Sequence, residues 1–211
     1  VQAGFANQGQ VCLCGSRLLI ESSVWNVVIE GLVRRIQAIE IDDPSDEKTR
    51  FGALISQAHR DKVESYVTQA VRDGGKILAG GGRPVVQEAL RDGAWLEPTL
   101  ITGLPKDHAC HLEEIFGPVV VAEPFTDEVE AIVSANSTEY GLAASVWTRD
   151  LTQARRVSES LETGMVWVNT WLHRDLRVPF GGVKQSGIGR EGGRWALEFF
   201  SEIRNICLHD D

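Results

Sequence analysis

Three short apolar runs, separated by segments of helix length, constrain the fold of this chain more than any other feature. The runs cover residues 119–122, 143–148 and 165–169. Continuous apolar side chains of this kind are typical of strands buried on both faces of a sheet. The segments between the runs, 127–136 and 150 to about 161, predict helices. Strands and helices that alternate at these lengths predict an α/β fold, an open and mostly parallel sheet with flanking helices.

The first half of the sequence continues this pattern. Residues 18–20 and 76–79 indicate strands, an apolar stripe over 25–39 predicts one helix, and a second helix follows Ser56. No internal repeat or low-complexity linker interrupts the 211 residues. A chain of this length can build one core, so we expect a single α/β domain.

The segment after the last apolar run is a candidate site, because ligands in open parallel sheets bind beyond the carboxyl ends of the strands. Residues 170–193 follow that run and hold the densest run of glycine in the chain. They contain neither a phosphate-loop pattern nor a G-x-G-x-x-G after a strand. We therefore expect a site here without a recognisable dinucleotide fingerprint.

The charge of the chain narrows the class of partner. Lys and Arg number 21 against 30 Asp and Glu, which gives a net charge of −9. Such a chain repels nucleic-acid phosphates and anionic membrane surfaces, and no apolar stretch is long enough to cross a bilayer. We expect a cytoplasmic protein that binds a small molecule, with no nucleic-acid or membrane partner. The sequence does not begin with methionine and has no signal peptide, so we expect part of a longer chain or a processed product.

Four cysteines, Cys12, Cys14, Cys110 and Cys207, raise two structural alternatives. Two disulfides are one alternative, but a chain of this size buries enough core without them. A zinc site from Cys12, Cys14, Cys110 and the histidines beside Cys110 is the other, but neither cluster has the spacing of paired zinc ligands. We expect no metal site.

Cys12 is the candidate nucleophile. Segment 5–12, Phe-Ala-Asn-Gln-Gly-Gln-Val-Cys, places small and flexible residues just before it. A sharp backbone turn there leaves the thiol accessible and its amide free to donate, as a nucleophilic cysteine requires. The alternative is a free cysteine that packs as a small buried hydrophobe.

Three motifs, in order, resemble those of the aldehyde dehydrogenase family. They are segment 5–12, segment 113–119 (Glu-Glu-Ile-Phe-Gly-Pro-Val) and segment 179–191 (Pro-Phe-Gly-Gly-Val-Lys-Gln-Ser-Gly-Ile-Gly-Arg-Glu). The resemblance covers the whole chain. It implies an aldehyde dehydrogenase catalytic domain over residues 1–195, followed by a helix end and an oligomerisation strand over 196–211.

The resemblance also implies roles for five residues. Cys12 matches the nucleophile, which forms a thiohemiacetal and then a thioester, and its backbone N–H matches an oxyanion-hole donor. Glu114 and Phe116 match residues that contact the nicotinamide ribose and ring. Phe180 matches a residue of the substrate tunnel, and Glu191 matches an acidic residue that relays protons. The implied cofactor is NAD, with NADP as the alternative.

Three of these assignments have structural alternatives. Glu114 could belong to a solvated acidic turn, and Phe180 could be an ordinary core side chain. Glu191 could form a surface ion pair with Arg190 or Arg194. A rival enzyme class is a cysteine hydrolase, in which Cys12 pairs with a histidine base, although no hydrolase signature accompanies it. The available histidines are His59, His108, His111, His173 and His209.

Segment 171–178 occupies the position of the family's substrate-entry loop and carries Arg174 and Arg177. Arginine binds carboxylates in a bidentate manner. The loop resembles that of the 2-aminomuconic and 2-hydroxymuconic semialdehyde dehydrogenases, which implies a substrate with a carboxylate away from the aldehyde. Arg174 is the first candidate for that carboxylate and Arg177 the second. The alternative is an ion pair of either arginine with Asp175 and an apolar aldehyde as the substrate.

The chain also departs from the family pattern. The general-base glutamate belongs to a Glu-Leu-Gly-Gly stretch upstream of the cysteine, and no such stretch occurs in the 211 residues. The side-chain oxyanion donor and the N-terminal cofactor-binding domain also lie upstream in the family. These departures predict that the chain alone is inert as a dehydrogenase. Segment 201–208 alternates polar and apolar residues like an edge strand, which predicts a homo-oligomer, a dimer or tetramer.

Overall fold

The computed structural model of the chain describes residues 1–210. They form two compact units, Val1–Thr138 and a second unit that begins at Glu139. The units describe contacts within the chain, and the catalytic domain predicted over 1–195 stays a prediction. Periodicity reports local structure, whereas the grouping of elements into units depends on contacts between distant segments.

A four-stranded mixed sheet lies at the centre of the first unit. Its strands are β1 (Arg17–Glu21), β2 (Lys76–Ala79), β3 (Thr99–Thr102) and β4 (Val119–Phe125), in the order β1-β4-β3-β2. Strand β4 is parallel to both of its neighbours, with Arg17 opposite Val121 and Thr99 opposite Val119, whereas β2 is antiparallel to β3. The apolar run at 119–122 is therefore an interior strand buried on both faces, as predicted.

Helices pack on both faces of this sheet. The described helices of the unit are α1 (Gln2–Phe5), α2 (Trp25–Gln37), α3 (Gln57–Arg72), α4 (Ala109–Leu112) and α5 (Glu128–Asn136). The Ser56 hydroxyl accepts a hydrogen bond from the His59 N–H at the start of α3, and Asp127 caps α5 in the same way. These caps explain why both helices begin where the sequence predicts.

Alternate side chains of β4 enter two hydrophobic clusters, because successive strand residues point to opposite faces. Val119 and Val121 pack with Val63 and Val67 of α3 in one cluster. Val120 and Ala122 belong to the other, with side chains from α1, α2 and the following loop, among them Phe5, Ile36 and Phe51. Phe5, at the end of α1, thereby anchors the segment that leads to Cys12.

The second unit contains two smaller sheets. Its elements are β5 (Tyr140–Gly141), β6 (Ala143–Val146), α6 (Leu151–Ser160), β7 (Met165–Val168), β8 (Val183–Lys184) and α7 (Gly193–Phe199). Strands β6 and β7 are parallel and joined by α6, as predicted, and β5 is antiparallel to β8. The predicted α/β fold, with mostly parallel strand pairing and flanking helices, is confirmed: β4 is parallel to β1 and β3 in the first unit, and β6 is parallel to β7 in the second.

The C-terminal segment of the described chain has no regular structure. Residues 201–210 are exposed and lie outside every helix and strand, so the predicted strand over 201–208 does not form in the single chain. Its pairing with a second copy stays a prediction, because an edge strand is completed only by a partner. No helix within residues 1–210 has the length and apolar character needed to span a bilayer.

Candidate active site

A sharp turn of the backbone presents Cys12. Asn7, Gln8 and Gly9 have φ angles of 47°, 56° and 70°, three left-handed residues in succession. The Asn7 side-chain amide donates to the carbonyl of Gln10 at 3.1 Å and closes the turn. Cys12 follows in an exposed position. Among residues 1–210, its backbone N–H has no protein acceptor, so it is free to donate to another group.

Gly9 brings this turn against a second loop. A Cβ atom on Gly9 would lie 2.0 Å from the carbonyl oxygen of Gly117, which leaves no space for a side chain. Gly117 and Pro118 lead directly into β4, whereas Cys12 lies shortly before β1. Because β1 and β4 are adjacent and parallel, their amino-terminal ends bring the two loops together. The Cys12 site therefore lies at amino ends of strands and not at the carboxyl ends, where the sequence had predicted a site.

Cys12, Glu114 and Phe116 line one pocket of about 60 Å³, together with Gly9, Val11 and Cys14. This volume holds a few water molecules. It can take a carbonyl group beside Cys12, whereas the remainder of a substrate must extend beyond it. Three of the residues singled out from two sequence motifs thus lie around one small cavity.

Glu114 and Phe116 both present their side chains to solvent. Glu114 is exposed, while its neighbour Glu113 accepts a hydrogen bond from the Tyr66 hydroxyl at 2.6 Å. Phe116 is 38% exposed and has a φ of 58°. Its carbonyl accepts a hydrogen bond from His59 Nε2 at 2.7 Å. In the sequence, His59 is only one of five histidines that could act as the base of a hydrolase. No local sequence pattern indicates its contact with the Phe116 carbonyl.

The second cysteine of the pocket is in a different state from Cys12. Cys14 is half-buried, and its thiol donates to the carbonyl of Ala6 with a sulfur–oxygen distance of 3.7 Å. Burial raises the pKa of Cys14 to about 11, although a hydrogen bond from the backbone opposes the shift. A thiol of this kind is a poor nucleophile at neutral pH.

The structure gives no support to a cysteine hydrolase in the first unit. No histidine of this unit lines the pocket. His59 contacts the Phe116 carbonyl, His108 contacts Asp73 at 3.1 Å, and His111 is buried near Glu123. In the described part of the chain, no group of three or more metal-ligating side chains is present, and all four cysteines are free.

The remaining predicted residues lie in the second unit. Phe180 and Glu191 form a pair of backbone hydrogen bonds, each 2.8 Å long, so their side chains are held at one place in the loop. They line a pocket of about 350 Å³ with Leu142, Phe199 and Phe200. This volume falls within the range of small-molecule sites. Phe180 is half-buried at this pocket, so it is neither a fully buried core side chain nor a fully exposed one.

The two loop arginines have different partners. The Arg177 guanidinium forms a bidentate ion pair with Asp175, with contacts of 2.9 and 2.6 Å. This is the alternative foreseen for the loop, and it satisfies Arg177 without a ligand. Arg174 instead lies over the Phe180 ring, 4.6 Å from its centre, and pairs with no carboxylate of residues 1–210. Its charge therefore remains available.

Glu191 does not form the ion pairs considered for it. Arg190 donates to the carbonyls of Gly182 and Gly189, and Arg194 lies near Glu198. The Glu191 carboxylate is exposed at the second-unit pocket. No cation of residues 1–210 pairs with it.

The chain is similar to known proteins along almost its whole length. Residues 1–206 match the family model described as "Aldehyde dehydrogenase family". A 2-aminomuconic 6-semialdehyde dehydrogenase from Pseudomonas sp. is 49% identical over 100% of this chain, which covers 43% of that protein. The 2-aminomuconic semialdehyde dehydrogenase of Mus musculus is 44% identical over 99% of this chain, which again covers 43% of it.

Solved structures agree with these relatives. Betaine aldehyde dehydrogenase from Staphylococcus aureus, in complex with NAD⁺, superimposes with a TM-score of 0.90 at 41% identity and covers 94% of this chain and 39% of that chain. A structure described as a putative aldehyde dehydrogenase from Burkholderia cenocepacia gives a TM-score of 0.92 at 39% identity, over 95% of this chain and 41% of that one. The chain spans about two fifths of the length of the proteins it matches. It belongs to the aldehyde dehydrogenase family.

Proposed function

We propose that this chain is the catalytic portion of an NAD(P)-dependent aldehyde dehydrogenase that oxidises a semialdehyde bearing a carboxylate. The observation that carries the proposal is the common pocket of Cys12, Glu114 and Phe116. An exposed thiol, a carboxylate and an aromatic ring there supply a nucleophile and two cofactor contacts. The names of the relatives, muconic semialdehyde dehydrogenases, support the class of substrate.

Cys12 carries the chemistry in this proposal. Its thiolate adds to the aldehyde carbon and forms a thiohemiacetal, while its free backbone N–H donates to the oxygen on which charge develops. When bound, the nicotinamide accepts the hydride that leaves the aldehyde carbon. The thioester that remains on Cys12 is hydrolysed by water, which releases the acid and restores the thiol. Each turnover therefore consumes one aldehyde, one water and one oxidised cofactor.

The residues around Cys12 fit a nicotinamide nucleotide. The Glu114 carboxylate is exposed and can accept hydrogen bonds from ribose hydroxyls. The Phe116 ring is partly exposed at the same pocket and offers an apolar surface to the nicotinamide. We propose NAD as the cofactor, with NADP as the alternative. In the second unit, Glu191 is the candidate for a proton relay.

Arg174 is the candidate for recognition of the substrate carboxylate. Arg177 is neutralised by Asp175, whereas Arg174 has only the Phe180 ring beside it. A cation over an aromatic face keeps its charge and its donors. The Arg174 guanidinium can therefore bind a carboxylate in a bidentate manner, while the ring contacts the carbon chain of the substrate.

A hybrid enzyme tests the activity and the substrate class together. The chain replaces the matching 43% of the 2-aminomuconic 6-semialdehyde dehydrogenase from Pseudomonas sp.. NADH formation is measured with adipic semialdehyde and with hexanal, which differ in the terminal carboxylate. We expect Arg174→Ala to raise the KM for adipic semialdehyde about tenfold, because the ion pair between Arg174 and the substrate carboxylate is lost. The KM for hexanal should stay unchanged, because hexanal has no carboxylate.

Arg177→Ala is the matched control. It should change the KM for neither aldehyde, since Arg177 already pairs with Asp175. Binding of NAD to the hybrid is measured first. A hybrid that binds NAD and forms no NADH with either aldehyde contradicts the proposed activity. Equal use of both aldehydes before and after Arg174→Ala contradicts the role of Arg174 and favours an apolar substrate.

Self-association is a second candidate function, favoured by the exposed apolar side chains at the end of the chain. These are Leu197, Phe199, Phe200, Ile203, Ile206 and Leu208. Large apolar side chains that are exposed along one stretch of the chain are typical of an interface. We propose that it pairs with a second copy, in a dimer or tetramer. Light scattering after gel filtration should give at least twice the chain mass, and Phe200→Asp with Ile203→Asp should give the monomer. A monomeric wild-type chain contradicts this proposal.

A further inference from the structure

Phe116 has a backbone conformation that needs external support. Its φ of 58° is in the left-handed region, which is unfavourable for a residue with a large side chain. Residues in such conformations persist only where surrounding contacts hold them, and they concentrate at functional sites. Phe116 lines the Cys12 pocket, so the question is which group holds it.

His59 contacts Phe116 at both its backbone and its ring. His59 Nε2 donates to the Phe116 carbonyl at 2.7 Å, and apart from His59 no group of residues 1–210 donates to that oxygen. The two rings pack edge to face, with centres 6.4 Å apart and planes 66° apart. The hydrogen bond sets the direction of the peptide group, and the ring contact sets the direction of the side chain.

The donor stands on a rigid support. His59 lies in the first turn of α3, where its own N–H donates to the Ser56 hydroxyl at 3.2 Å. One turn further on, Val63 is fully buried and packs against Gly117, since a Cβ atom on Gly117 would lie 2.6 Å from a Val63 methyl. Helix α3 therefore fixes both Phe116 and the residue that follows it.

We infer that His59 is a positioning residue that holds Phe116 in its left-handed conformation, with the ring directed for contact with a nicotinamide nucleotide beside Cys12. The contact with the nucleotide rests on the proposed function, whereas the hold on Phe116 does not. Loss of the hydrogen bond leaves the carbonyl without a protein donor and lets the residue relax towards an ordinary φ. The ring then leaves the position in which it borders the pocket.

Three variants of the chain test this inference. His59→Leu removes the donor, and His59→Gln retains a side-chain N–H that can reach the carbonyl. Gln57→Leu is the matched control, because Gln57 also donates from the first turn of α3 to a loop carbonyl, that of Asp92 at 2.9 Å. Its removal perturbs the same turn of the helix without touching Phe116.

The first readout is hydrogen–deuterium exchange of residues 111–119, in which the amides of His111, Leu112, Glu113 and Val119 are hydrogen-bonded on either side of Phe116. We expect His59→Leu to raise the exchange rate about three- to tenfold, the effect of one lost hydrogen bond. His59→Gln should restore most of the protection against exchange, and Gln57→Leu should exchange at the same rate as the wild type. Wild-type exchange in His59→Leu overturns the hold on Phe116.

The second readout is alkylation of Cys12 by iodoacetamide in the presence of nicotinamide mononucleotide. We expect the nucleotide to slow alkylation of Cys12 in the wild-type chain and in His59→Gln. In His59→Leu, the same protection should require a nucleotide concentration about three- to tenfold higher. Equal protection of the wild type and His59→Leu overturns the positioning role. If the nucleotide fails to protect even the wild type, the proposed cofactor contact fails, and exchange alone then decides whether His59 holds Phe116.

Discussion

Cys12→Ala should abolish NADH formation by the hybrid enzyme, with a loss of at least roughly four orders of magnitude. Without the thiol no covalent intermediate forms, and removal of a catalytic nucleophile has effects of this size. The neighbouring Cys14 cannot replace it, because burial raises its pKa to about 11. At pH 7 only about one Cys14 side chain in ten thousand is a thiolate. The direction of this shift means that Cys14 becomes reactive only as the pH approaches its pKa.

Cys14→Ala is the control for this experiment, since it removes a sulfur atom from the same pocket. It should keep NADH formation within about threefold of the unsubstituted hybrid, because the half-buried thiol contributes packing and one weak hydrogen bond. A stoichiometric burst of product from an activated ester shows that an acyl-enzyme forms, and peptide mass mapping then identifies which cysteine is acylated. Retention of more than a tenth of the activity by Cys12→Ala would refute the assignment of the nucleophile.

Local elements of this fold are predictable because their causes are local. The run at 119–122 becomes strand β4, since continuous apolar residues can be buried on both faces. Ser56 and Asp127 cap α3 and α5, and a short polar side chain before an apolar stripe is a sufficient signal. Strand pairing is different in kind, because β4 selects β1 and β3 from distant parts of the sequence. Hydrophobicity does not specify that choice.

The site was predictable only where a motif could be matched. Resemblance associates Cys12 with Glu114 and Phe116, and the pocket that they share lies between loops at the amino ends of β1 and β4. The rule that sites follow the carboxyl ends of strands directs attention elsewhere. His59 was missed because its contact depends on how α3 packs beside the loop before β4.

The arginine pair shows the same limit on a smaller scale. Arg174 and Arg177 are equivalent in composition, and the sequence could rank them only by analogy. In the structure, Asp175 is two residues before Arg177 and pairs with it through both side-chain and backbone hydrogen bonds. Arg174 is left with the Phe180 ring. The distinction follows from turn geometry, which residue types alone do not determine.

Gly9→Ala should destabilise the first unit and inactivate the Cys12 site together. Gly9 has a φ of 70°, where a side chain is strained, and its Cβ would lie 2.0 Å from the Gly117 carbonyl oxygen. Strain and overpacking each cost about 1–3 kcal/mol, so we expect a loss on the order of 3 kcal/mol. In a unit of this size the melting temperature should fall by roughly 10 °C.

Gly31→Ala is the matched control, because it makes the same change in the interior of α2, at a half-buried position where an added Cβ meets nothing within 4 Å. It should raise the stability by up to about 1 kcal/mol, since alanine is the better helix former. Because the same substitution should lower the stability at Gly9 and raise it at Gly31, the comparison separates backbone strain at Gly9 from any general effect of an added methyl group. Calorimetry gives both melting temperatures, and the rate of Cys12 alkylation below the transition reports the loop. If Gly9→Ala has the melting temperature of the wild type and Cys12 is alkylated at an unchanged rate, the close approach of the loops that carry Gly9 and Gly117 does not shape the site.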